Sequence, residues 1–417
     1  MKEQQGKKRA FLPVLGNIIL AVLGLVIALG LVEMLMRVFP NWVPLEVRVN
    51  PPARRVKAFI DNTYDLRQSD GDLWHYMRGN IVPLSPDQNQ VIAHIHMTTD
   101  ANGFRNSAPE KATYGIVALG DSFTRASGVA TPWTQKLAEY TGNDVLNLGE
   151  VGFGPQDELK VLRQYGLKKR PHLVILAYFE GNDLYDAASY EQASPFILFR
   201  FGRYILRRSV EAWQEKSSGT ASAAVISNYR YPITITINHQ DIETVFFPSY
   251  ISWLSLSRDS IEASQNYRLV RETILQMQEL SESAGANFLL IYVPSKSHVY
   301  LPYVKDPETI ARVFTDVPAI ELDDTGFLQF RDNTVTPDLV HQNMDDQARL
   351  LTDFAAENHI HFLNLTPIFQ EEASTGADLY YRFDTHWNQL GHDLAAVSIS
   401  DFIEEVLPTT PSKIPAN

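Results

Sequence analysis

Between Ala10 and Val32 the chain carries no charged residue, its longest apolar stretch. About 23 residues of helix are enough to cross a hydrocarbon core of about 30 Å. Lys7, Lys8 and Arg9 precede the stretch, and the excess of positive charge on that side predicts a cytoplasmic tail over 1–9, a transmembrane anchor over 10–32 and everything beyond outside the cytoplasm, periplasmic or extracellular. A cleaved signal peptide and a buried core helix are the competing expectations. A signal peptide's apolar core is shorter and ends at a small-x-small site, whereas this run continues into Glu33-Met34-Leu35-Met36-Arg37. Pro40, Pro44, Pro51 and Pro52 then predict an extended stalk. Residues 33–112 read as stalk and lead-in, with strand-like alternation over Val91–Met97 and a turn at Asn102-Gly103, in an Asn102-Gly103-Phe104-Arg105 string to which we attach no mechanism.

From Tyr114 the pattern changes to short apolar runs alternating with helix-like stretches. Strands are predicted at Ile116–Leu119, Val145–Leu148, Leu173–Ala177, Phe288–Val293 and His361–Leu365. Continuous apolar runs of this length mark strands buried on both faces, hence a parallel sheet. Tyr267–Ser283 predicts a helix, with Leu269, Ile274, Met277 and Leu280 on one face and Gly285 past its end. A closing helix is expected over Leu390–Leu407, stopped by Pro408. The expected fold is α/β: one N-terminal transmembrane helix, then a layered domain over 113–408 with a five-stranded parallel sheet, then a tail over 409–417. Two insertions interrupt it. Residues 187–260 include a basic aromatic stretch from Phe196 to Trp213 with Arg200, Arg203, Arg207 and Arg208, and a strand-like Tyr231–Ile237; residues 302–345 are polar and acidic. The basic stretch reads as a helix capping the domain or lying on an anionic membrane surface.

Composition narrows the chemistry. In 417 residues, a net charge of −13 argues against a nucleic-acid partner. There is no cysteine, so disulfides, thiolate ligands and a cysteine nucleophile are excluded. Serine, threonine, histidine and carboxylates remain. No cofactor is expected: no Gly-Lys-Ser/Thr loop exists and Gly149-x-x-Gly152-x-Gly154 is not a dinucleotide fingerprint. No metal is expected either, since His359 and His361 share one short predicted strand without a third ligand.

Four blocks carry candidate chemistry. Gly120-Asp121-Ser122 closes the first strand and places a serine where a buried strand leaves the sheet. Asn147-Leu148-Gly149-Glu150-Val151-Gly152 follows the second strand and Glu180-Gly181-Asn182-Asp183 the third. Asp384-Thr385-His386-Trp387 near the C-terminus adds an imidazole with a carboxylate two residues before it. Serine needs a base to take its proton, the base needs a carboxylate to fix its tautomer, and the oxyanion needs preorganised N–H donors. Taken singly, Asp121 and Asn182 are as well explained as turn or cap residues, and Asp183 better so. Lys296 and His298, at the end of the fourth strand, read as substrate contacts or surface residues. Tyr178, Phe179 and Tyr185 read as core packing or as sugar-stacking rings.

In this order the blocks resemble the SGNH (GDSL-type) hydrolases over roughly Tyr114–Leu407. The resemblance implies an SGNH/flavodoxin-like three-layer sandwich, Ser122 as nucleophile, His386 as base, Asp384 as its partner, and Gly152, Asn182 and the Ser122 N–H as oxyanion donors. Asp121, Asp183 and Trp387 are expected near substrate. The last block departs from the family pattern, whose aspartate stands three residues before the histidine, where this chain has Phe383. Asp-Thr-His-Trp is similar to the Asp-x-His-Trp signature of SGNH-like exopolysaccharide O-acetyltransferases of the alginate-acetylation type, in which that signature precedes the serine. The chain is therefore expected to be a membrane-anchored serine esterase acting on acyl, chiefly acetyl, esters of an envelope or exported glycan. The alternatives are an O-acetyltransferase served by a multi-spanning acyl-donor membrane protein, and a non-catalytic glycan-binding or scaffold protein. An α/β-hydrolase is disfavoured because Gly-x-Ser-x-Gly is absent at the serine.

Overall fold

The computed structural model describes residues 2–39, 61–67, 91–100, 102–106, 110–192, 197–199, 201–202, 205, 233–381 and 384–407. The proline-rich stalk, Tyr231-Pro232, the tail over 409–417 and most of the basic stretch lie outside them. Two compact units emerge, Met1–Arg55 with Glu191–Gly219, and Val56–Tyr190 with Thr220–Asn417.

In the first unit one unbroken helix runs over Lys2–Val38, beginning before and ending after the expected span. Its segment Leu20–Val38 is long and apolar enough to cross a membrane, and none of it is buried among the described residues. Glu33 pairs with Arg37 on the next turn, and its carboxylate accepts the backbone N–H groups of Ile197 (3.0 Å) and Leu198 (2.7 Å). Ile197 and Leu198 thus belong to the same unit as this helix.

The second unit holds all the chemistry-bearing blocks. Eleven strands are described: β1 Asp61–Arg67, β2 Val91–Thr98, β3 Ile116–Gly120, β4 Val145–Asn147, β5 Leu173–Phe179, β6 Ile233–Ile237, β7 Gln240–Thr244, β8 Asn287–Val293, β9 Pro318–Leu322, β10 Leu328–Thr334 and β11 His361–Asn364. Five form one parallel sheet in the order β11-β8-β5-β3-β4. This is the flavodoxin-like order, and every residue of β3 and β5 is buried, as the apolar runs require. The other strands pair antiparallel as β1-β2, β6-β7 and β9-β10. The last two pairs come from the two insertions. The expected helices form as Gln265–Ser283, with Ser264 as N-cap and Gly285 at φ +81 past its end, and Gln389–Val406, capped by Asn388. His359 departs from expectation, sitting in a left-handed turn (φ 55) before β11 rather than in the strand.

The chain crosses from β3 to β4 on one side and then returns to β5 on the other. Between β3 and β5 the connections diverge, leaving a crevice at the carboxyl ends of the strands, where open α/β sheets bind ligands. The loops that follow β3 and β5 carry Ser122 and Asn182.

Candidate active site

At the end of β3 the chain turns through Gly120, whose φ is +151. A Cβ there would stand 2.2 Å from Thr124 Oγ1 and 3.2 Å from the Ala177 carbonyl, so only glycine lets the next residues fold back over the strand. Asp121 then caps a one-turn helix, Ser122–Arg125, by accepting the Phe123 N–H (2.9 Å). The second block closes on this turn from the side. Asn147 donates through Nδ2 to the Thr124 carbonyl (2.7 Å) and accepts the Gly149 N–H (2.8 Å). At Gly149 a Cβ would come within 2.6 Å of the Arg125 nitrogen, so the glycine is needed for the approach.

The C-terminal block meets the nucleophile turn 264 residues away in sequence. His386 Nε2 lies 2.7 Å from Ser122 Oγ. Its Nδ1 bonds Asp384 Oδ1, which also accepts the His386 backbone N–H (2.7 Å). The two-residue spacing is what permits this: the carboxylate folds back over its own loop and fixes both the ring and the backbone of the histidine. Burial alone raises Asp384 and lowers His386, but their mutual attraction outweighs it in both, holding the carboxyl below 3.8 and the imidazole above 6.5. With Asp384 ionised, Nδ1 carries the donated proton and Nε2 faces the serine hydroxyl.

The other expected residues divide. Gly152 sits in a left-handed turn (φ +74), exposed on the loop after β4. Asn182 is half-buried, with Nδ2 donating to Asp186 Oδ2 (2.7 Å), a bond that fixes the amide and leaves its second hydrogen for another acceptor. Asp121 is buried with Oδ2 3.5 Å from Ser122 Oγ, and burial pushes it up to about 6. Asp183, considered near substrate, is buried and accepts the Phe179 N–H (2.8 Å), a structural cap at the end of β5. Trp387 is 2% exposed and stacks on Phe369, with Phe123 edge-on; it forms the floor beneath the histidine loop. Tyr178 and Phe179 are buried as core, whereas Tyr185 is exposed. Glu158, Asp183 and Asp186 are held well above the ordinary carboxyl range by burial first and by neighbouring carboxylates second, Asp121 acting on all three.

Two parts of the site were not read from sequence. The Asn102–Asn106 string packs against the nucleophile turn. Arg105 donates to the carbonyls of Ala126, Val129 (2.7 Å) and Ala130 (3.0 Å), and Asn106 exchanges hydrogen bonds with the Asn147 backbone (both 2.9 Å). The string itself was the available signal. The second part is the end of β8, where Lys296 and His298, read as substrate contacts or surface residues, are both buried.

Residues 330–416 match the family model described as SGNH hydrolase-like domain, acetyltransferase AlgX. The chain is similar to the SGNH hydrolases. The matched segment carries Asp384 and His386. Among solved structures, a GDSL-like lipase from Bacteroides thetaiotaomicron aligns at 14% identity over 72% of this chain and 93% of its own, with a TM-score of 0.33. A lipase/acylhydrolase from Enterococcus faecalis aligns at 13% identity over 70% and 95%, with a TM-score of 0.34. An acetylxylan esterase from Geobacillus stearothermophilus, in a catalytic-mutant form, gives 13%, 70%, 95% and 0.33. No curated protein matches the sequence.

Proposed function

We propose that this chain is a membrane-anchored serine acyl-transfer enzyme of the SGNH type, acting on acetyl or related acyl esters of an envelope or exported glycan. The observation that carries the reading is the contact chain Ser122 Oγ, His386 Nε2, His386 Nδ1, Asp384 Oδ1 at the crevice between β3 and β5. In the first half-reaction the Ser122 proton passes to Nε2 as Oγ bonds the ester carbonyl carbon. The oxyanion is received by the N–H groups of Ser122 and Gly152 and the Asn182 amide. Collapse breaks the bond to the leaving alcohol, which takes the proton from Nε2 and leaves an acyl-serine. In the second half an acceptor hydroxyl gives its proton to Nε2 and attacks the acyl carbon, and the proton returns to Ser122 Oγ. Asp384 stabilises the imidazolium at both stages.

The acceptor decides between water and sugar. Sequence reasoning put hydrolysis first; the match of residues 330–416 to an acetyltransferase domain favours a glycan hydroxyl. On this reading the basic residues Lys7, Lys8 and Arg9 keep the N-terminus inside and the site lies outside the cytoplasm, so that an acyl donor would come from a multi-spanning membrane partner. The test is to label the full chain in detergent with a fluorophosphonate and map the adduct, then to supply an acetyl ester with a glycan acceptor. Labelling at Ser122 that requires His386, with acetyl appearing on sugar faster than as free acetate, is the expected result. Free acetate alone returns the reading to esterase, and a folded protein that never labels removes the enzyme reading.

A further inference from the structure

Burying a lysine ammonium is costly unless an anion or several acceptors face it. Lys296 is only 3% exposed. It also opens a helix, Lys296–Tyr300, at the end where the helix dipole disfavours positive charge. Its Nζ donates to the Tyr381 carbonyl (3.1 Å), and the Tyr381 N–H donates to the His386 carbonyl (3.0 Å). Two hydrogen bonds therefore lead from the ammonium to the backbone of the histidine. The Tyr381 hydroxyl donates to the Gly128 carbonyl, tying the same strap to the loop behind the nucleophile turn. The helix is fixed from its own side, since Ser295 caps it and the Ser295 N–H donates to Glu180 (2.7 Å).

Resting on the acyl-transfer reading above, we propose that Lys296 is a positioning residue of this site: it holds the Asp384–His386 loop through Tyr381 and supplies the countercharge that keeps His386 free to accept a proton. The charges around the imidazole make the need for it clear. Asp384 on the loop and Asp121 at the nucleophile turn both favour imidazolium, and Lys296 opposes them. The same ammonium stabilises the Asp384 carboxylate. From the helix Pro248–Leu254, Tyr250 faces Asp121 and Asp384 as a neutral phenol, and from the helix Gln389–Val406 His392 is kept uncharged by burial, then by Arg105 and His386. Lysine at this point partly offsets two carboxylates that favour the imidazolium, the form that cannot act as a base.

The experiment compares the full chain with Lys296→Met, Lys296→Gln and Lys296→Arg by two readouts, the pH profile of fluorophosphonate labelling at Ser122 and the NMR titration of His386, assigned with His386→Gln. The neutral variants are expected to move the His386 titration and the acid limb of labelling upward by about one pH unit, the size of one nearby charge. The arginine variant should restore the wild-type midpoint with slower labelling, its planar head making a different bond to Tyr381. An unmoved His386 titration in a folded neutral variant overturns the proposal. So does failure of both neutral variants to fold, which assigns the ammonium to stability alone. A wild-type chain that titrates at His386 but never labels refutes the acyl-transfer reading instead, so the two failures are told apart.

Discussion

Two histidines, His298 buried and His386 partly so, stand at the carboxyl ends of this sheet, and both pair with a carboxylate. His386 has Asp384 on Nδ1 and the Ser122 hydroxyl on Nε2. His298 has Glu180 on Nδ1 (2.8 Å) and Asp345 on Nε2 (3.1 Å). Burial alone lowers an imidazole, but two carboxylates overcome it and hold His298 at about 9. It is therefore a fixed imidazolium at neutral pH, with no lone pair to offer. Tyr292 and the Ser295 N–H occupy the rest of Glu180 and complete the network. What makes a base is thus the partner of the second ring nitrogen. A hydroxyl there leaves a proton acceptor; a second carboxylate makes a structural cation.

Several changes break or sharpen that contrast. The largest effect is expected from His386→Ala, which should lower turnover by about 10⁴–10⁶ in a chain that still folds; a similar loss from a folded His298 variant would erase the distinction. His298→Ala leaves Glu180 buried without its cation, which costs about 3–5 kcal/mol, read by denaturant unfolding. Asn182→Ala should reduce kcat by about 10²–10³ at unchanged fold, and a rate equal to wild type removes the amide from the site.

The pH dependences are smaller and also separate the two rings. His298 has a folded-state value of about 9 against 6.5 unpaired. The stability it contributes is complete below pH 6.5 and is lost as pH rises towards 9. Unfolding midpoints should fall across that window in the wild type and less so in a His298 variant. For His386 the raised imidazole puts the acid limb of kcat/KM above pH 6.5; a limb at or below that value would mean that Asp384 does not act on the ring.

Much of this contrast was hidden in the sequence, while the frame around it was not. The five buried strands announced themselves as uniform apolar runs such as Leu173-Val174-Ile175-Leu176-Ala177, since both faces of a parallel sheet are covered. Ser122, His386, Asp384 and Asn182 were legible because each ends a strand or flanks a long helix. Lys296 and His298 read as substrate contacts or surface residues, and nothing local shows the ion-pair network that buries them. The countercharges lie far along the chain: Glu180 is 118 residues from His298, and Asp345 is 47. The pairing of β1 with β2 escaped for a related reason, as Asp61–Arg67 is polar and its partner strand is more than twenty residues away. Trp387 was expected near substrate from the resemblance, and the helix Thr366–Ser374 brings Phe369 against it and takes it into the core.

The bracing of the nucleophile turn by Arg105 and Asn106 bears on where this enzyme can be cut. A truncation at 113, just ahead of the first sheet strand, retains every residue of the triad and all five parallel strands. It nevertheless removes the guanidinium that gathers the carbonyls of Ala126, Val129 and Ala130. Such a fragment would fold its sheet and still present the serine on a loosened hinge, so the smallest working form of the protein begins upstream of Asp100.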